Sequence, residues 1–263
     1  MGRLKAVVVV GFTLLMLPDS SFAQIELMRR IKKVTEVPVW QHAPLGQKES
    51  RQVLLDLNST DQKTMQAAFE RLALSRPLPA HADLVVTETQ NAVKRSRDKF
   101  AMAMAFEIKR NWNEAKQAAE TLQASKRSGG FRYLEQVIAG GSELQAGVAM
   151  LAVAYSGNSR AGIVVGQYWR KAKIPGLRAL LIVGPPAADT LVKQLNDDDY
   201  FVVKNVIEVL GKIGKEDHIP ALKKTLAESR PILRRSIEES VREIEARVAG
   251  EAKQGESGVN KKK

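Results

Sequence analysis

The sequence predicts an all-α chain that stacks helical hairpins into an α-solenoid, and three observations carry that reading. Residues 183 to 249 repeat at a thirty-one-residue shift, which lays Leu191, Leu195, Val202, Val206, Leu210 and Ile213 over Leu222, Leu226, Leu233, Ile237, Val241 and Ile244. Self-similarity at this period marks hairpins that bury their apolar stripes only against their neighbours. An earlier hairpin overlays the later one at an offset of 138, with Val53 on Leu191, Leu57 on Leu195, Ala68 on Val206 and Leu72 on Leu210. Aromatic residues make up only 5% of the 263 positions. Leu, Val, Ile and Ala supply the remaining apolar mass, which suits helix-on-helix packing better than sheets.

The first 23 residues have the three parts of an export signal. Arg3 and Lys5 form a basic end, Ala6 to Leu17 an apolar run, and Ser21-Phe22-Ala23 a small-residue cleavage site before Gln24. The apolar run is shorter than the roughly 20 residues a helix needs to span a bilayer. The expectation is therefore a cleaved signal and a periplasmic or extracellular protein without a membrane span, with a retained anchor as the alternative. Residues 24–46 carry a basic cluster and prolines without a sustained period, and read as a tether in which Val37, Val39 and Trp40 could dock.

The solenoid is expected over 47–249. Val53, Leu54 and Leu57 stripe the first helix, Asn58 to Asp61 turn the chain, and Met65, Ala68, Phe69 and Leu72 stripe the second. Pro77 and Pro79 stop that helix. Residues 80–127 read as two or three long helices, with Asn111 and Glu114 at capping-box spacing ahead of Ala115. Gly129-Gly130 and Gly140-Gly141 read as helix C-caps, and the helix from Glu143, apolar nearly all round, is expected to be central. Gly157-Asn158 ends it, Ile163 to Lys171 form another helix, and Pro175-Gly176 introduce Leu177 to Val183. Residues 250–263 lack apolar content and are expected to form a disordered basic tail.

The clearest units, 183–214 and 215–248, share a detailed pattern. Val183-Gly184-Pro185-Pro186 leads into Leu191, and Asp197-Asp198-Asp199 follow. Tyr200 to Asn205, Val209-Leu210-Gly211-Lys212-Ile213-Gly214 and His218-Ile219-Pro220-Ala221-Leu222 complete it. This run resembles the HEAT-like repeat family of the type first recognised in phycobilisome lyases. The resemblance implies a right-handed solenoid of HEAT-like, armadillo-type hairpins with a binding role and no catalytic residue. Val203 stands where the family usually places the first of two basic residues, which leaves Lys204 to pair with Asp197 or Asp199.

Other chemistry is excluded or weakly signalled. With no cysteine, disulfides, thiolate metal sites and cysteine nucleophiles are ruled out. His42, His81 and His218 lack zinc spacing, and Asp197 to Asp199 lack the spread of a calcium loop, so a capped turn accounts for them. No nucleophile elbow or phosphate-binding glycine loop is present, and no cofactor or metal is expected.

Charge is the remaining signal. With 41 Lys and Arg against 29 Asp and Glu the formal net charge is +12, which favours an anionic partner. Equivalent positions stack along a solenoid, so Lys94, Arg95, Arg97, Lys126, Arg127, Arg170, Lys171, Lys204, Arg234 and Arg235 are candidates for one basic strip. Ordinary solvated helix faces account for the same residues. Trp169 beside Arg170 and Lys171 reads as a core residue, spaced one turn from Val165. The sequence thus points to an exported, non-enzymatic binding or scaffold protein with a protein or anionic polymer or surface as partner. The alternatives are an enzyme accessory of the lyase-like kind, and nucleic-acid binding, which export disfavours.

Overall fold

The computed structural model describes residues 44–96, 98–228 and 231–259. Its helices are α1 (Gln47–Asp56), α2 (Gln62–Leu74), α3 (Ala82–Ser96), α4 (Lys99–Ser125), α5 (Phe131–Gly140) and α6 (Glu143–Tyr155). They continue with α7 (Ala161–Tyr168), α8 (Lys173–Val183), α9 (Ala188–Val192), α10 (Tyr200–Ile213), α11 (Ile219–Glu228) and α12 (Pro231–Val259). Short 3-10 turns precede α3, α8, α9 and α11. No strand occurs among the described residues.

Each odd-numbered helix packs against the even-numbered helix after it, and the even-numbered helices pack in succession from α2 through α4, α6, α8 and α10 to α12. This is the solenoid that the repeat predicts. Its register is also as read: Leu191, Leu195, Val202, Val206, Leu210 and Ile213 are buried, as are Leu222, Leu233, Ile237, Val241 and Ile244. Leu226 alone of the twelve is only half-buried, packed at the core margin. In the first hairpin Leu57, Ala68 and Leu72 are buried and Val53 half-buried.

Local chemistry sets the helix starts. Asp61 caps α2 by accepting the Thr64 N–H at 2.9 Å, and Ser142 opens α6 through a capping box with Gln145. Asp98 caps α4 by accepting the Ala101 N–H at 2.8 Å. Burial pushes the Asp98 carboxyl up, but hydrogen bonds from Ala101, Gln62 and Gln66 outweigh it and hold the group below its ordinary value. α6 is the central helix expected, buried from Ala146 to Ala154 except for half-buried Val148, and in contact with α4, α5, α7 and α8.

Close packing between repeats depends on small residues and on polar ties. A Cβ on Gly211 would lie 2.8 Å from Ser240 Oγ, and that same hydroxyl donates to the Ile207 carbonyl at 2.9 Å. Arg247 of α12 donates to the carbonyls of Gly211 at 3.1 Å and Lys212 at 2.8 Å, and also to that of Gly214. A cation at the negative end of α10 thereby satisfies carbonyls that the helix leaves open.

Three local readings change. Asn111 and Glu114 are not a helix start, because α4 runs unbroken from Lys99 to Ser125; apolar residues on both sides of Asn111 keep the helix buried through it. Ile163 to Lys171 is not one α-helix, since α7 ends at Tyr168 and the backbone tightens into a 3-10 turn over Trp169–Ala172. α8 begins at Lys173, with Pro175 inside its first turn where a missing N–H costs nothing. The backbone of α12 is helical as far as Val259. The export signal and almost all of the tether, with His42, Val37, Val39 and Trp40, lie outside the described residues.

Two apolar cores result. One gathers residues between Leu45 and Trp112, the other residues between Ala118 and Ile244. α4 belongs to both.

Candidate functional site

The acidic turn is consumed by its own backbone. Asp199 caps α10 by accepting the Phe201 N–H at 2.8 Å, and Asp197 accepts the Asp199 N–H at 3.0 Å while pairing with Arg170 at 2.9 Å. Lys204 does not reach this turn. It lies 3.7 Å from Glu208 on its own helix, because Arg170 from the preceding repeat already occupies Asp197. Among the described residues no group of three or more His, Asp or Glu side chains could hold a metal ion. No described helix is long and apolar enough to cross a membrane.

The ten strip candidates are spread over successive hairpins. Lys94 and Arg95 end α3, where Arg95 donates to Asn58 Oδ1; Arg97 lies outside the described residues. Lys126 and Arg127 are exposed in the turn after α4. Arg170 and Lys171 share the 3-10 turn before α8, and Lys171 donates to the Ala139 carbonyl at 2.5 Å. Arg234 and Arg235 are exposed on α12, with Arg235 3.3 Å from Glu239. Arg95, Arg170, Lys204 and Arg235 therefore share their charge with a local oxygen, while Lys94, Lys126, Arg127 and Arg234 face solvent.

An apolar feature that the sequence reading missed lies beside them. Leu144, Ile174 and Phe201 are the second residues of α6, α8 and α10, and they are 77%, 45% and 63% exposed. These first turns are neighbours. Pro175 and Ala172 close on Gly147, one turn into α6, and Lys173 Nζ sits 5.6 Å from the Phe201 ring centroid. Met102 and Phe106 of α4 are also exposed, one turn apart. Periodicity does not single out Leu144 on α6, which is apolar on nearly every face, or Ile174 on α8, which lacks one clear apolar stripe. Trp169, by contrast, is buried as read, and its ring N–H donates to Gln194 Oε1 at 2.9 Å.

Buried charge forms the other unexpected group. Arg178 of α8 is 1% exposed and pairs with Glu114; Glu107, also buried, pairs with Arg110. Burial pushes the Glu107 carboxyl above its ordinary value despite the Arg110 and Arg178 guanidiniums nearby, and burial lowers Arg178. The Tyr155 hydroxyl, also pushed up by burial to about 12, donates to the Pro77 carbonyl at 3.1 Å. Sequence alone gives no sign of this cluster, because α4 contributes Glu107, Arg110 and Glu114 at ordinary solvent-face spacing.

No curated protein matches this chain. The family model for HEAT repeats matches residues 173–242, from α8 into α12, and that stretch carries HEAT repeats.

Proposed function

We propose that the protein is an exported, non-enzymatic binding protein that holds a protein partner along the edge formed by the first turns of α6, α8 and α10. The observation that carries this reading is the exposed row Leu144, Ile174 and Phe201 within a repeat architecture that HEAT proteins generally use for protein interaction. Large apolar side chains in a contiguous exposed row mark binding surfaces in soluble proteins. Lys173, over the Phe201 ring, adds a cation at the edge of the row. Arg170 and the basic positions of the neighbouring hairpins would steer an acidic partner toward it. Export rests on the tripartite first 23 residues.

A second reading, an anionic polymer or surface bound through the basic strip, is favoured by the net charge of +12. The two are separated by capturing the partner with protein starting at Gln24 across a salt series. Binding through the strip should weaken steeply with salt and fail after charge reversal of Arg170, Lys171, Arg234 and Arg235. Binding through the apolar row should survive salt and lose only association rate on reversal.

A further inference from the structure

The buried side-chain polar atoms without a hydrogen-bond partner among the described residues lie on α3, α4 and α8. The atoms are Thr89 Oγ1, Arg110 Nε, Asn111 Oδ1, Trp112 Nε1, and Nε and Nη2 of Arg178. Three consecutive residues of α4 supply half of them, and Arg178 reaches the same helix through Glu114. The Lys116–Asp83 pair at 2.7 Å sets α3 against α4 and brings Thr89 level with Arg110.

The middle of α4 is also where the two apolar cores part, between Trp112 and Ala118. The ties across it are polar: Arg178 to Glu114, and the Tyr155 hydroxyl to the Pro77 carbonyl. The junction of α10 with α12 is built differently. There Val206, Ile207 and Leu210 pack with Ile237, Val241 and Ile244, and Ser240 and Arg247 satisfy carbonyls of α10.

We propose that the solenoid flexes at this seam, the body of residues 45–112 and the body of residues 118–248 each moving as a unit about the middle of α4. Opening an apolar junction forfeits packing and gains nothing. Opening this seam lets water reach six polar atoms that the closed form leaves unpaired, so much of the lost packing is offset. Burial that disfavours the charged form of Glu107 acts in the same direction, since the carboxylate regains its hydration when the seam opens. The proposal does not depend on what the row of Leu144, Ile174 and Phe201 binds.

The chain has no cysteine, so paired spin labels can be placed without background. Exposed Lys63 and Lys193 span the seam; Lys63 with Lys94, and Lys193 with Lys224, each stay within one body. Lys63→Cys/Lys193→Cys should give a broad or two-peaked distance distribution, while the two within-body pairs give single narrow peaks. Hydrogen exchange on the unlabelled full chain should be about tenfold or more faster in peptides covering 107–114 than in those covering 206–210. A cross-seam distribution as narrow as the within-body ones, or exchange at 107–114 as slow as at 206–210, overturns the proposal.

Discussion

His218 stands 3.0 Å from Asp189 through Nε2, while its Nδ1 accepts the Lys215 N–H at 2.8 Å. One buried ring thus caps the turn that begins the repeat of 215–248 and reaches back to the repeat of 183–214. His218→Ala should cost about 1 kcal/mol, in the range for a lost helix cap. Asp189 is 87% exposed, so Asp189→Asn should cost under about 0.5 kcal/mol. Urea unfolding of both variants checks this. Equal losses would mean that the cross-repeat contact, and not the cap, is the larger part.

Leu210 is fully buried between α10 and its neighbours, and Leu210→Ala should cost about 2 to 5 kcal/mol. Lys212, two residues on, pairs with Glu243 at 2.5 Å, but both side chains are 41% exposed. Lys212→Ala should therefore cost under about 0.5 kcal/mol. Thermal melts that rank the two variants the other way would show the repeat register to be wrong.

Tyr155 predicts an alkaline limb of stability. Burial raises its hydroxyl from the ordinary 10.0 to about 12 in the folded chain. The folded state therefore keeps the proton longer than the unfolded one, and its contribution is intact below pH 10 and lost as pH rises from about 10 to 12. Phenolate absorbance should show one tyrosine ionising late, and Tyr155→Phe should remove that late phase. A uniform titration of all the tyrosines at their ordinary pH would contradict the buried placement.

The repeats were legible because packing constrains every turn of them. Leu191 recurs as Leu222 and Leu210 as Val241 at the one thirty-one-residue offset, and each is buried for the same reason. Asp199 and His218 were legible as caps because a cap is local, made within three residues of the helix start. Lys204 was misread because its presumed partner Asp197 is taken by Arg170, twenty-seven residues earlier, and only the fold brings those two together. Asn111 misled for a related reason. Its spacing to Glu114 imitates a cap, yet Glu114 is held by Arg178, sixty-four residues away. The exposed row was overlooked because Leu144, Ile174 and Phe201 count as apolar wherever they sit, and exposure depends on which face each helix turns inward.

The central claim is that this edge is the binding surface, and one comparison tests it directly. Once the partner is captured, its affinity is measured by calorimetry for the wild-type chain and for Leu144→Ser/Ile174→Ser/Phe201→Ser. The three side chains are already exposed, so helicity and melting temperature should stay within the small range of surface substitutions. Affinity should fall by about a hundredfold or more, as when the anchors of an interface are truncated. Unchanged affinity in a variant that is folded as the wild type would place the partner on another face and contradict the account.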